Sequence, residues 1–235
     1  MITGIVVALP EELRTLTKSR VQQGECISVA DNILLTLSGA GAKNAIFAAQ
    51  NLIDKGADRL ISWGCAGALA PHLKAGDLLI PDTILAKNNT QFATRQAWSK
   101  QIIDLLKPGI QCHTGRLFES GSIINLAQDK VALHQQTAAL AVDMESGAVA
   151  RTALKADIPF VVIRSIADLA GQNLPQAIAH AMTDKGVISL PKLMLYLCSH
   201  PTELPGLIKL GLNFNAASKT LKTVASHLPE IAQVQ

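Results

Sequence analysis

Ala139-Leu140-Ala141-Val142-Asp143-Met144-Glu145-Ser146-Gly147-Ala148-Val149-Ala150-Arg151-Thr152-Ala153-Leu154-Lys155, followed closely by Pro159-Phe160-Val161-Val162-Ile163-Arg164-Ser165-Ile166-Ala167-Asp168, decides the fold class. Ala139–Asp143 reads as a short strand, Ser146–Lys155 as a helix and Pro159–Ile166 as a strand buried on both faces. Strands alternating with helices indicate an α/β layer architecture. Each strand of this unit delivers an acid to its C-terminal end, the place where open α/β sheets bind ligands. Taken singly, Glu145 also suits a carboxylate that starts a helix, and Asp168 suits a cap of the following turn.

The pattern extends in both directions. Upstream, Ile2–Ala8 reads as a buried first strand, and Pro10-Glu11 opens a helix expected to run to Arg20, with Pro and acids favoured in the first turn. Cys26–Ala30 and Ile33–Leu37 flank Asp31-Asn32 as a tight hairpin. Ala42–Lys55 is an Ala-rich helix. Arg59–Trp63 is a strand expected to run into a Gly-rich turn, Gly64-Cys65-Ala66-Gly67. Asp77–Ala86 reads as a long strand interrupted by Pro81, Lys87–Arg95 as a polar loop, Ala97–Leu106 as a helix, Cys112–Phe118 as a strand and Leu126–Gln136 as a helix. Downstream of Asp168 the chain looks helical. Leu207, Leu210, Phe214, Ala217, Leu221, Val224 and Leu228 form an apolar stripe. A helix packed on the sheet accounts for it, with a subunit contact or a membrane-surface helix as alternatives. There is no repeat or linker, so residues 1–235 are expected to form a single domain with a central mixed sheet and a helical part over residues 168–235.

Composition narrows the classes further. Hydrophobic residues make up 49% of the 235 residues and charged residues 17%, which excludes a disordered chain. Two Trp, one Tyr and five Phe leave few rings for base stacking, and a net charge of +3 is too small for a polyanion-binding surface; no nucleic-acid partner is expected. The four cysteines, Cys26, Cys65, Cys112 and Cys198, have no metal-ligand or redox spacing, so neither a metal nor a disulfide is expected. Met1–Ile5 has no basic leader and no apolar run reaches 18 residues, so the expected compartment is the cytoplasm. Ser38-Gly39-Ala40-Gly41 superficially matches a dinucleotide fingerprint, but Asn44 stands where the third Gly belongs, leaving a strand-to-helix packing turn as the better account.

The combination is more specific than its parts. Ile5–Glu12, Ser38–Gly41, Gly64–Gly67, Gly76–Ile80, Asp143-Met144-Glu145 and Arg164–Asp168 occur in the order found in the nucleoside phosphorylase and nucleosidase family, which the sequence resembles from Gly4 to about Asp168. The wording around Asp143–Ala150, the Ile-Ala-Asp ending and the longer helical C-terminus are most similar to the phosphorylase-like proteins associated with hopanoid biosynthesis. That subgroup implies release of adenine from adenosylhopane; peripheral contact of the C-terminal helices with a membrane surface stays the alternative reading of their apolar stripe.

The resemblance also assigns roles. Asp168 protonates N7 of the leaving purine. Glu145 accepts from the ribose hydroxyls, and Met144 packs on the sugar. Glu12 matches the position that activates water in nucleosidases, whereas Arg14 resembles a phosphate-binding Arg of phosphorylases. Both are present, and the subgroup tips the expectation to phosphorolysis, with phosphate as co-substrate and no other cofactor. The alternatives are hydrolysis of the methylthioadenosine/S-adenosylhomocysteine type and a nucleoside-binding protein without catalysis. Ile123 and Ile124 replace an aromatic at the base, Cys65 and Gly67 line the sugar or an anion, and Ala167 stands where the family often has a Ser beside the acid. Homo-oligomers are expected, with the loop Lys87–Trp98 closing a neighbour's site.

Overall fold

The computed structural model describes residues 1–86, 90–181 and 190–233. In chain order the elements are β1 (Thr3–Val7), α1 (Pro10–Leu13), β2 (Cys26–Ala30), β3 (Ile33–Leu37), α2 (Ala42–Asp54), β4 (Arg59–Ala68), β5 (Leu78–Leu79), β6 (Thr83–Leu85), β7 (Gln91–Ala93), α3 (Gln96–Leu106), β8 (Cys112–His113), β9 (Arg116–Glu119), α4 (Ala127–Thr137), β10 (Ala139–Asp143), α5 (Ser146–Lys155) and β11 (Phe160–Asp168). The C-terminal part is helical: α6 (Gln176–Ala181), α7 (Leu190–Ser199), α8 (Leu204–Ala225) and α9 (Leu228–Gln233).

The strands form one mixed sheet in the order β2-β3-β1-β4-β10-β9-β6-β7, with β11 pairing β4 and β5, and β8 pairing β5. Its spine is β4. The first half pairs in parallel with β1, Ile61 opposite Ile5, and nearly its whole length pairs in parallel with β11. Its far end turns to β10, with Gly67 opposite Val142 and Ala68 opposite Ala141 in antiparallel register. Central strands buried on both faces read as continuous apolar runs, as Thr3–Val7 does, where every residue is buried.

Helices cover both faces. On one side Ala45, Ala48, Ala49 and Leu52 of α2 pack with Ala148, Val149, Ala150 and Ala153 of α5 on Val6, Leu60 and Val162. Alanines at these positions let the two helices sit close together. On the other side Trp98, Ile102 and Leu106 of α3 join Leu221 and Val224 of α8 and Leu228 and Ile231 of α9 over Ile5, Ile61 and Ile163. Both tryptophans are buried and both indoles are satisfied: Trp63 donates to Thr15 Oγ1 at 3.0 Å and Trp98 to the carbonyl of Ile231 at 2.9 Å. The packed half of the apolar stripe is therefore an ordinary core contact, fully buried at Ala217, Leu221 and Val224. Among the described residues no helix is long and apolar enough to cross a membrane.

Several local expectations differ from the structure, among them the single strand over Cys112–Phe118, which is split into β8 and β9. The first helix ends at Leu13 rather than Arg20. There the Thr15 hydroxyl donates to the carbonyl of Glu12 at 2.6 Å and accepts the Trp63 indole, so side-chain hydrogen bonds compete with helix propagation. Gly64–Gly67 is not a turn but the second half of β4, held extended because Gly64, Cys65, Ala66 and Gly67 each have a register partner on β11. The long strand over Asp77–Ala86 is split into β5 and β6 around Pro81, which has no N–H for a ladder. Within the polar loop, Gln91–Ala93 forms β7 against β6, while residues 87–89 lie outside the described residues.

Candidate active site

The C-terminal ends of β1, β10 and β11 carry the acids named from the sequence. Glu12 sits on α1, directly after β1, and is buried. Its Oε1 accepts the backbone N–H of Cys65 at 2.8 Å and its Oε2 that of Leu9 at 3.1 Å. The contact with β4 explains a glycine: a Cβ at Gly64 would lie 2.6 Å from Glu12 Oε1, so only a residue without a side chain admits the carboxyl. Burial pushes the Glu12 carboxyl above its ordinary 4.5, opposed by the positive charge of Arg164 and the N–H groups of Cys65 and Leu9.

Glu145 stands at the β10–α5 junction. Its Oε1 accepts the Gly41 N–H at 2.7 Å, which brings the Ser38–Gly41 turn into the site as a backbone donor rather than a dinucleotide cradle. The Met144 N–H lies 3.3 Å from Oε2, and Met144 itself is partly buried. Burial first, and then the negative charge of Asp143, push Glu145 up to about 7, against the Gly41 N–H and Arg164; Glu12 adds to the rise.

Beneath these carboxyls lies a network that the sequence reading passed over. Arg164, in the middle of β11, donates from Nε to Asp143 Oδ2 at 2.8 Å and from one terminal nitrogen to Ser62 at 2.7 Å and Ser146 at 3.1 Å. Ser146 also hydrogen-bonds Asp143 through its hydroxyl. The Arg164 and Asp143 side chains are 3% and 2% exposed, so this is a buried ion pair, and the other terminal nitrogen of Arg164 donates to the carbonyl of Ile163 at 3.1 Å. A charged residue inside an otherwise apolar strand was the available signal, since such a charge needs a buried counter-ion.

Asp168 ends β11 opposite Gly67, where a Cβ would come 3.2 Å from Oδ2. Its carboxyl is raised above 3.8 by burial, with Lys130 pulling the other way. Lys130, from α4, donates to Asp168 Oδ2 at 2.6 Å and is itself fully buried. Ala167 supplies no hydroxyl, as expected. The segment after Ile123 and Ile124 is tied to the loop that follows β11: Leu174 N–H bonds to the carbonyl of Asn125 at 2.8 Å, and Ala127 N–H to Asn173 Oδ1 at 2.8 Å. Ile124 packs on Leu69, Leu85, Ala139 and Val142.

Cys65 contributes its backbone. Burial pushes its thiol well above 9, with Glu12 adding to the rise, so it stays a neutral thiol. Arg14 is exposed at the C-terminal end of α1, whereas Glu12 two residues earlier is buried. Among the described residues no group of three or more His, Cys, Asp or Glu could hold a metal ion.

The three acids thus stand at the ends of strands that all pair with β4 of one mixed sheet. The chain belongs to the Phosphorylase superfamily, whose sequence profile matches residues 3–194. It is 29% identical over 218 residues, 79% of this chain and 94% of the relative, to a 5′-methylthioadenosine/S-adenosylhomocysteine nucleosidase of Staphylococcus aureus. Among solved structures it is similar in fold to the same-named enzyme of Neisseria meningitidis in complex with methylthio-immucillin-A, with a TM-score of 0.73, 20% identity and coverage of 97% of this chain and 99% of that one. Futalosine hydrolase of Helicobacter pylori shares the fold at TM-score 0.68 and 19% identity, covering 97% and 96% of the two chains.

Proposed function

We propose that the protein hydrolyses the N-glycosidic bond of a 5′-substituted adenosine of the methylthioadenosine/S-adenosylhomocysteine type, releasing adenine. One observation carries the hydrolytic reading over phosphorolysis. Glu12 is a buried carboxyl, fixed by two backbone N–H groups, at the position the resemblance gives to the nucleophile's activator. A carboxylate there takes a proton from water and repels a phosphate dianion. Arg14, the residue assigned to phosphate, is exposed and does not share that recess. The Staphylococcus relative supports the same choice by its name.

In this reading Asp168 delivers a proton to N7 as the C1′–N9 bond breaks, and the sugar becomes oxocarbenium-like. Glu145 accepts from ribose hydroxyls, with Met144 against the ring. Glu12 takes a proton from water as the water oxygen bonds to C1′, and adenine and the free 5′-substituted ribose leave. Raised carboxyls suit both acid–base jobs, because an acid or base works best with its pKa near the working pH. The adenosylhopane reading requires a large apolar surface. Met194, Leu195, Leu204, Ile208 and Leu212 provide one on α7 and α8, at 60%, 74%, 48%, 56% and 64% exposure, but no described contact joins it to the carboxyls.

The test is incubation with methylthioadenosine, S-adenosylhomocysteine and an adenosine bearing an apolar 5′ group, with and without phosphate. Adenine release at a rate independent of phosphate, with a free ribose product, is expected. Formation of a ribose 1-phosphate that requires added phosphate would overturn hydrolysis. No adenine from any of the three would overturn the enzymatic reading for adenosines.

A further inference from the structure

Lys130 has no place in the roles drawn from the resemblance, yet its side chain is fully buried and ends on the acid that the mechanism uses. An ammonium has three N–H donors. Lys130 directs one to Asp168 Oδ2 at 2.6 Å, one to the carbonyl of Gln172 at 2.9 Å and one to the carbonyl of Leu169 at 3.1 Å. All three donors are thus spent on the end of β11 and the turn after it, and none remains to grip a substrate. At the adjacent position Ala167 offers Asp168 no hydroxyl.

We propose that Lys130 is a positioning residue for Asp168: it holds Oδ2 in place of a neighbouring hydroxyl and locks the Leu169–Gln172 turn, so that the carboxyl is fixed for delivering a proton to the purine. A cation in contact with the carboxyl makes Asp168 a stronger acid than burial alone would leave it. The proton donor is then quick to release its proton but loses it at lower pH. Among the described residues Lys130 is the one ionisable side chain acting on this carboxyl. Arg164 of β11 is engaged with Asp143, Arg151 of α5 with Glu119, Cys65 of β4 lies against Glu12, and Lys219 and Lys222 of α8 are exposed.

The inference rests on the hydrolytic reading for its turnover assay but not for its second readout. K130M removes the charge and donors at similar length, K130Q keeps two N–H donors without the charge, and K130R keeps the charge. In the folded neutral variants kcat for adenine release should fall on the order of tenfold, with KM changed less. The alkaline limb of the pH–rate profile should move up by about one pH unit, since a weaker acid stays protonated longer. K130R, and a hydroxyl returned by A167S in the K130M background, should each recover part of the rate. Wild-type kcat and limb in K130M, or a lowered kcat with an unmoved limb, would overturn the proposal, as would failure of both neutral variants to fold. A carboxyl-carbon NMR titration of Asp168 in wild type and K130Q reads the same displacement without substrate. Absence of adenine release by the wild type would therefore sink the hydrolase reading and leave this comparison to decide the role of Lys130.

Discussion

Replacing Glu145 by Gln should make the empty enzyme more stable at alkaline pH while disabling it. In the folded protein burial and the charge of Asp143 raise the Glu145 carboxyl from 4.5 to about 7, whereas in the unfolded chain it returns to the ordinary value. The folded state therefore binds this proton more tightly. Its contribution to stability is complete below about pH 4.5, is lost as pH rises towards 7, and is absent above that. At about 1.4 kcal/mol per pH unit the loss is roughly 3 kcal/mol. A glutamine cannot ionise and escapes it. Its carbonyl can keep the Gly41 N–H, but its amide then faces the Met144 N–H, which lies 3.3 Å from the carboxyl, at a cost of about 1 kcal/mol. The net expectation at pH 8 is about 2 kcal/mol in favour of Glu145→Gln, or a melting temperature about 4–8 °C higher for a chain of this size. At pH 4 the variant should be equal to wild type or slightly weaker. Thermal or urea unfolding from pH 4 to 8 gives both curves, and adenine release measures the functional loss. A variant no more stable than wild type at pH 8, or one with the same pH dependence, would refute the claim that Glu145 is held in an environment hostile to its charge.

Three further outcomes follow from the same geometry. Glu12→Gln should lower the rate of adenine release by about 10²–10⁴-fold while calorimetry still detects binding of adenine. Arg164→Met leaves Asp143 as an uncompensated charge at 2% side-chain exposure and should cost about 3–5 kcal/mol in urea unfolding, with activity lost as well. Gly64→Ala puts a methyl group 2.6 Å from Glu12 Oε1, so kcat should fall sharply while the circular dichroism spectrum keeps its α/β form.

Local elements were legible where one signal dominated. Asp31-Asn32 between two β-branched runs marks a hairpin with the observed strand bounds, Cys26–Ala30 and Ile33–Leu37. Ala139–Asp143 and Ser146–Lys155 also have the bounds read from the sequence, because a buried strand, an acid and an Ala-rich helix follow one another without ambiguity. Gly64–Gly67 misleads because glycine usually marks a turn, whereas here the missing side chains make room for Glu12 and Asp168 while β11 keeps the backbone extended. The helix after Pro10 misleads because Thr15 is indistinguishable from a helix residue until Trp63 is seen donating to it. The carboxyls were visible as acids at strand ends. Lys130 was not: it lies on α4 among Gln128, Asp129, Gln135 and Gln136, and nothing in that polar helix marks one residue as the buried one.

The position of β4 has a consequence for how the protein is made. Gly64 takes the carboxyl of Glu12, and Gly67 faces Asp168, so one short segment joins groups supplied by the beginning of the chain and by its later half. A chain emerging from the ribosome exposes Glu12 long before β11 exists to pair with β4, and pairings across such sequence separations form slowly. The nascent N-terminal half thus holds an unfinished sheet edge at β4 and an acid without the buried arginine that tempers it. Asp168 joins Glu12 and Glu145 only when Phe160–Asp168 docks on β4. Co-translational protease sensitivity of the Gly64–Gly67 segment should end at that chain length and not before.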